Sequence, residues 1–308
     1  TITLDYHYSE RPDFMAKDLA LALEAVVKGV ALGDALGNRL EFMAAPTDGD
    51  FQRQLDLPLV VSDDTQMMLF SLEAMKTDST FEEAYRRWYS TQGPAKLGEG
   101  LLRFAEMYDI QAPGRTCMAA CKAITKGVPV ANDSKGNGTV MRCAHMPYLG
   151  RLMGRSLAQV IDLAKSDAET THKHPFAAMS SMLLVAIHWG LIDGLPIAEA
   201  ISSAMKVVDA DPAIRRLCRL ALDPKAYPAM RTDLGGWVAE EALALAIGAV
   251  AHSGGYLDAI RSAVAISGDS DTVGAIAGGL ATGAGRSAPP ELVATLNVIR
   301  AIDYVLSQ

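Results

Sequence analysis

Twice along this chain, a pair of carboxylates stands at the head of a run of core-seeking residues. In "VSDDTQMMLFSLEAMK" (61–76) Asp63 and Asp64 are adjacent, with Ser62 before them and Thr65 after. Met67, Met68, Leu69, Phe70, Leu72 and Met75 follow. In "SGDSDTVGAIAGGLATGAG" (267–285) Asp269, Asp271 and Thr272 open a small, glycine-rich apolar segment. One acid or hydroxyl ahead of a helix caps its free backbone N–H groups. Two acids with a hydroxyl are more oxygen than a cap uses, and buried like charges need a compensating partner. A fold that buries both apolar runs therefore has to bring positive charge to their starts. A cation where the two segments meet neutralises both pairs. The donors are all oxygens, which suits Mg²⁺, Mn²⁺ or Ca²⁺ better than zinc or copper, and four carboxylates suffice for two ions.

The 308 residues allow one large domain or two, and half of them are hydrophobic, enough for a sizeable core. The net charge is −8 and Lys and Arg do not cluster, which argues against nucleic acid as a partner. A local site for an anionic small ligand remains compatible with that charge. No uninterrupted run of 18 apolar residues occurs, so no membrane span is expected. The opening "TITLDYHYSERPDF" lacks the basic and apolar regions of a signal peptide. Cys117, Cys121, Cys143 and Cys218 form no C-x-x-C, and at this density reduced, buried thiols of a cytoplasmic protein are expected.

Strand signals are scarce, with 6% aromatic residues and few alternating β-branched runs. Apolar residues at three- and four-residue spacing predict helices over 18–37, 156–166, 174–192, 196–208, 237–252 and 290–306. "TFEEAYRRWYS" (80–90) adds a Thr cap and Glu in its first turn. Pro and Gly punctuate between these segments, and no linker or low-complexity tract appears. The expectation is one compact all-α domain over 18–308, with function on its loops and helix starts. In the first helix Gly29, Gly33 and Gly37 recur every fourth residue. Lys28, Asp34 and Arg39 make a membrane dimerisation face a poor reading, so close packing inside a soluble core is expected. Asp34 and Glu41 then lie beside points of close backbone approach. For Asp34 a simple cap or turn role stays open.

Four separated segments, "GVALGDALGNRLEF" (29–42), "SDDT" (62–65), "GNGTVMR" (136–142) and "SGDSDT" (267–272), resemble those of the ADP-ribosylglycohydrolases and occur in that family's order. "THKHP" (171–175) and "GGWVAEEALALA" (235–246) add weaker matches. The resemblance implies an all-α fold around two divalent ions, Mg²⁺ or Mn²⁺. It implies Ser62, Asp63, Asp64, Asp269, Asp271 and Thr272 as metal ligands, and Glu41 beside the metal pair as a catalytic group with Asp63 and Asp64. Lys135, Gly136, Asn137, Gly138, Thr139, Val140 and Met141 match the loop that wraps the diphosphate of ADP-ribose, and His172 the histidine near the nucleotide. Ser270 stands between the acids, where the family often has Thr or Gly, and leaves the ligands intact.

The chemistry is consistent with these residue types. Backbone N–H groups of a Gly-rich loop suit phosphate oxygens. Two ions bind ribose hydroxyls and activate water, and glycoside cleavage passes through an oxocarbenium-like state. The expected activity is metal-dependent release of ADP-ribose from a protein side chain, arginine first and serine-type O-linkage as the alternative. Residues 1–17 fall outside the resemblance and are polar and aromatic, with Tyr6, His7, Tyr8 and Phe14. They are read as a docked tail or as an arm for a partner. Some members of the family act as antidotes to ADP-ribosylating toxins, so an immunity protein that binds such a toxin is the reading from a different class. No zinc site is expected, because His172 and His174 have no matching Cys or His pair. His174 before Pro175 reads as a cap. For Arg142 an internal acid and a phosphate are equally good partners.

Overall fold

In the computed structural model, which describes residues 12–308, the glycine stripe of the first helix is a crossing point. That helix, Pro12–Asn38, lies against a second glycine-rich helix, Ser270–Gly283. A Cβ on Gly33 would sit 2.1 Å from the Gly274 carbonyl oxygen, and one on Gly274 would sit 2.4 Å from the Gly33 carbonyl oxygen. No side chain fits between the two backbones. The same crossing brings the Asp269–Asp271 motif to the end of the helix that carries Asp34 and leads into Glu41. Ser270 ties the two together by donating from its hydroxyl to the Gly37 carbonyl at 2.9 Å.

The described residues form sixteen α-helices and three short 3-10 helices, with no sheet and two isolated bridges. The all-α expectation holds. Three helices, Asp63–Lys76, Pro175–Ile192 and Ala239–Ala251, are buried on nearly all sides. A helix apolar all round belongs in the centre of a fold. Pro175–Ile192 is also long and apolar enough to cross a membrane by length and composition, with mean hydropathy 1.6, and 67% of it is buried within the fold. Outer helices are two-faced. In Phe81–Ser90, Ala84, Tyr85 and Trp88 face inward, and the predicted Thr80 cap accepts from Glu83 N–H at 3.1 Å. His174 caps the Pro175–Ile192 helix, its Nδ1 accepting from Phe176 N–H at 3.1 Å. All four cysteines are free and buried.

One predicted helix breaks. Residues 290–306 form Pro290–Val293 and Ile299–Ser307, with a gap between. In the gap Asn297 donates its N–H to the Leu59 carbonyl at 2.9 Å, and its side-chain oxygen accepts from Val61 N–H at 3.1 Å. These bonds anchor the segment leading into Ser62 and replace helical ones. At the other end of the chain, the segment read as an arm lies outside the described residues as far as residue 11. Residues 12–17 are the first turns of the opening helix.

Candidate active site

The Asp63–Lys76 helix begins under two caps. Ser62 Oγ accepts from Asp64 N–H at 3.2 Å and donates to Asp64 Oδ2 at 3.1 Å. The second cap is remote. Asp34, fully buried on the opening helix, accepts from Ser62 N–H at 2.9 Å, from Thr65 N–H at 3.1 Å and from the Thr65 hydroxyl at 2.5 Å. Burial raises its pKa to about 6 against the pull of these hydrogen bonds. Its role as a cap is settled by these partners, 28 and 31 residues away in sequence.

Asp63 and Asp64 are thereby left over from the capping. Among the described residues Asp63 accepts a long bond from Gly114 N–H, 3.4 Å. Asp64 Oδ1 is buried with no hydrogen-bond partner among the described residues. Across the cleft floor, Asp269 Oδ2 accepts from the Asn137 side-chain amide at 2.8 Å, and Asp271 Oδ1 accepts from Thr272 N–H at 2.9 Å. Carboxylate oxygens of Glu41, Asp269 and Asp271 lie within 4.8 Å of one another.

Buried acids crowded together hold protons tightly. Burial first, then the charges of Asp269, Asp63 and Asp34, push Glu41 up to about 8. Burial pushes Asp63 up to about 7, with the Asp34 and Asp269 charges adding to it and the Gly114 N–H opposing. Asp64 and Asp271 stand well above the usual carboxylate range, for burial first and then for their acidic neighbours. A cation reverses this balance.

These acids line a cleft of about 460 Å³, which also takes in Thr272, Met141, His172 and the 134–138 loop. Of the residues singled out from sequence, Glu41, Asp63, Asp64, Lys135, Gly136, Asn137, Gly138, Met141, His172, Asp269, Asp271 and Thr272 are thus brought together. Ser62, Thr139 and Val140 do not line it. Ser62 is turned to the helix start, and Thr139 donates to the Ala177 carbonyl at 2.9 Å. Lys135 is paired with the buried Glu240. The loop's backbone donors are partly engaged: Gly136 N–H goes to Ser134 Oγ at 3.2 Å, and Asn137 N–H to the Trp237 carbonyl at 3.3 Å.

Phe42 and Trp237 were not singled out by the sequence. Their rings stack at the cleft with centroids 5.5 Å apart, and they are 68% and 44% exposed. Phe42 takes φ +65°, a conformation uncommon for a bulky residue. The local signal was an aromatic directly after Glu41 and another beside the glycine pair 235–236.

The sequence model of the ADP-ribosylglycohydrolases matches residues 17–302. The chain belongs to the ADP-ribosylglycohydrolase family. A solved structure described as an ADP-ribosylglycohydrolase-related protein complex is similar in fold, with TM-score 0.70 at 23% identity, over 94% of this chain and 98% of that one. No curated protein matches the chain. ADP-ribosylglycohydrolases act on ADP-ribosyl compounds and generally bind divalent metals. The residues present fit such ions: the donors are all oxygens, they converge, and Asp64 Oδ1 has no hydrogen-bond partner among the described residues.

Proposed function

We propose that this ADP-ribosylglycohydrolase is a metal-dependent hydrolase that frees ADP-ribose from a modified protein, with arginine as the acceptor. The observation that carries the reading is the convergence of Glu41, Asp63, Asp64, Asp269 and Asp271 on one cleft that the 134–138 loop and His172 also line. Asp63, Asp64, Asp269, Asp271 and Thr272 would hold two divalent ions, Mg²⁺ or Mn²⁺. Such ions, when bound, supply Lewis-acid polarisation and a water of lowered pKa. Glu41 orients the attacking water and takes its proton. The bond from C1 of the ribose to the guanidine nitrogen breaks as the C1–O bond forms, and the proton passes to the leaving nitrogen. The products are ADP-ribose and the protein with its unmodified arginine side chain. Arginine is favoured because the cleft is acidic and because the exposed faces of Phe42 and Trp237 suit a planar cation.

The test is incubation with arginine-, serine- and glutamate-linked ADP-ribosyl substrates, with and without divalent metal. Metal-dependent release from the arginine-linked substrate is expected. Release from the serine-linked substrate alone would move the acceptor to O-linkage, and release from none would sink the proposal.

A further inference from the structure

A buried hydrogen-bond chain runs from Tyr85 to the wall of the cleft. Arg142, fully buried, donates from Nε to Asp167 Oδ2 at 2.9 Å and from Nη1 to the Gly138 carbonyl at 2.9 Å. Its Nη2 donates to the Asp167 carbonyl at 2.8 Å and to Thr171 Oγ1 at 3.0 Å. Asp167 also accepts from the Tyr85 hydroxyl, and the guanidinium lies 4.1 Å from the Tyr85 ring centroid. The cation is satisfied inside the protein, by an acid rather than a phosphate. Two of its contacts, Gly138 and Thr171, adjoin the cleft.

Thr171 Oγ1 is 2.8 Å from His172 Nδ1. A guanidinium only donates, so the bond from Arg142 occupies a lone pair of Thr171 and leaves its single hydroxyl hydrogen free. The other partner in reach among the described residues is His172 Nδ1. If Nδ1 carried the imidazole proton, Thr171 would receive two donors and its own buried hydrogen would go unpaired, which is costly. The proton therefore belongs on Nε2. That edge of the ring faces the loop: a Cβ on Gly136 would stand 3.1 Å from Nε2. His172 is 1% exposed and lines the cleft, and no hydrogen-bond partner among the described residues meets Nε2.

We propose that Arg142 and Thr171 are positioning residues that fix His172 as a neutral Nε2–H donor, aimed into the cleft at an oxygen of the bound ADP-ribosyl group. The identity of that ligand rests on the proposed function; the tautomer does not. Burial, and then the Arg142 charge, lower the His172 pKa to about 3, which keeps the ring neutral.

The test is long-range ¹⁵N correlation spectroscopy on the histidine-labelled full chain, which has six histidines, with His172 assigned by its loss in His172→Ala. The wild type and Thr171→Ser are expected to show the Nε2–H tautomer at neutral pH. Thr171→Val is expected to spread the proton over both nitrogens and to weaken ADP-ribose binding roughly tenfold by calorimetry. In the His172→Ala background Thr171→Val should cost no further affinity, because the two act as one unit. Finding wild-type His172 as the Nδ1–H tautomer or the imidazolium overturns the proposal, and so do additive losses in the double variant. If Thr171→Val fails to fold, the wild-type and Thr171→Ser spectra still decide. A wild-type chain that binds no ADP-ribose overturns the ligand and the proposed function together, and the nitrogen shifts separate that result from failure of the relay.

Discussion

The two acid-bearing helix starts look alike in sequence and differ in construction. At Asp63–Lys76 the N-terminus is capped by Ser62 from the chain itself and by Asp34 from the opening helix. At Ser270–Gly283 the cap position belongs to Asp269, which makes no side-chain cap bond and instead accepts from Asn137. In the first case other residues do the capping; in the second the residue in the capping position turns away. Capping therefore explains the paired acids at neither end. Their convergence on one cleft is what the two starts share.

Exchanging charge for neutral shape breaks this comparison most forcefully. Asp64→Asn and Asp271→Asn keep an acceptor and remove a carboxylate from the crowd. Turnover on an ADP-ribosyl substrate is expected to fall by at least about 100-fold for each, the scale of lost Lewis-acid stabilisation. Melting temperature without metal should hold or rise. Near-wild-type turnover for both would return the acids to a structural role.

Asp34→Ala sharpens the contrast through stability. It strips partners from two buried N–H groups and a hydroxyl, at about 1–3 kcal/mol each. Denaturant unfolding should lose about 3 kcal/mol or more, and Asp269→Ala, which removes no cap, should lose far less. Equal losses would mean that the second start is capped after all.

The crowded acids predict a pH response in chelator. Glu41 and Asp63, raised to about 8 and about 7, bind protons more tightly folded than unfolded. Stability of the metal-free chain should therefore fall as pH rises from the ordinary carboxylate range near 4 through about 8. Melting temperature at pH 5.5 should exceed that at pH 8 in EDTA, and saturating Mg²⁺ should shrink the difference. A metal-free chain more stable at pH 8 contradicts the crowding of the acids.

The smallest effects belong to Ser62 and the N-terminus. Ser62→Ala should cost about 1 kcal/mol as a lost cap and leave turnover within a few-fold. A collapse of turnover instead would make Ser62 a ligand. A chain beginning at Pro12 should hydrolyse a small ADP-ribosyl substrate at the intact rate, and loss of that activity would place residues 1–11 in the site.

Features written in local spacing were legible in the sequence. Doubled acids before apolar runs, glycines every fourth residue and the Thr80 and His174 caps each declare themselves within a few residues. The glycine stripe announced a close approach but not its partner, because Gly274 lies far along the chain. Asp34 as the cap of a helix start 28 residues away, and Asn137 against Asp269 across 132 residues, depend on tertiary placement. The break between Val293 and Ile299 was hidden for the same reason: an apolar helical pattern gave way to hydrogen bonds with residues 59 and 61. Nor does the composition of "KGNG" reveal that two of its N–H groups are already engaged.

The crossing at Gly33 and Gly274 acts as a fixed ruler for one side of the site, between the end of the opening helix and the Asp269–Asp271 motif. Where side chains separate two helices, a substitution can widen or narrow the gap by the width of a methyl group. Here main chain rests on main chain, so the spacing between the acids on the two helices is set by peptide dimensions, which no change of side chain can shorten. A one-residue insertion in either helix would turn its end by about 100° and scatter the carboxylates. Change is thereby left to the walls of the cleft, the 112–117, 134–138 and 237–238 segments, while the distance across the crossing stays as the main chain sets it.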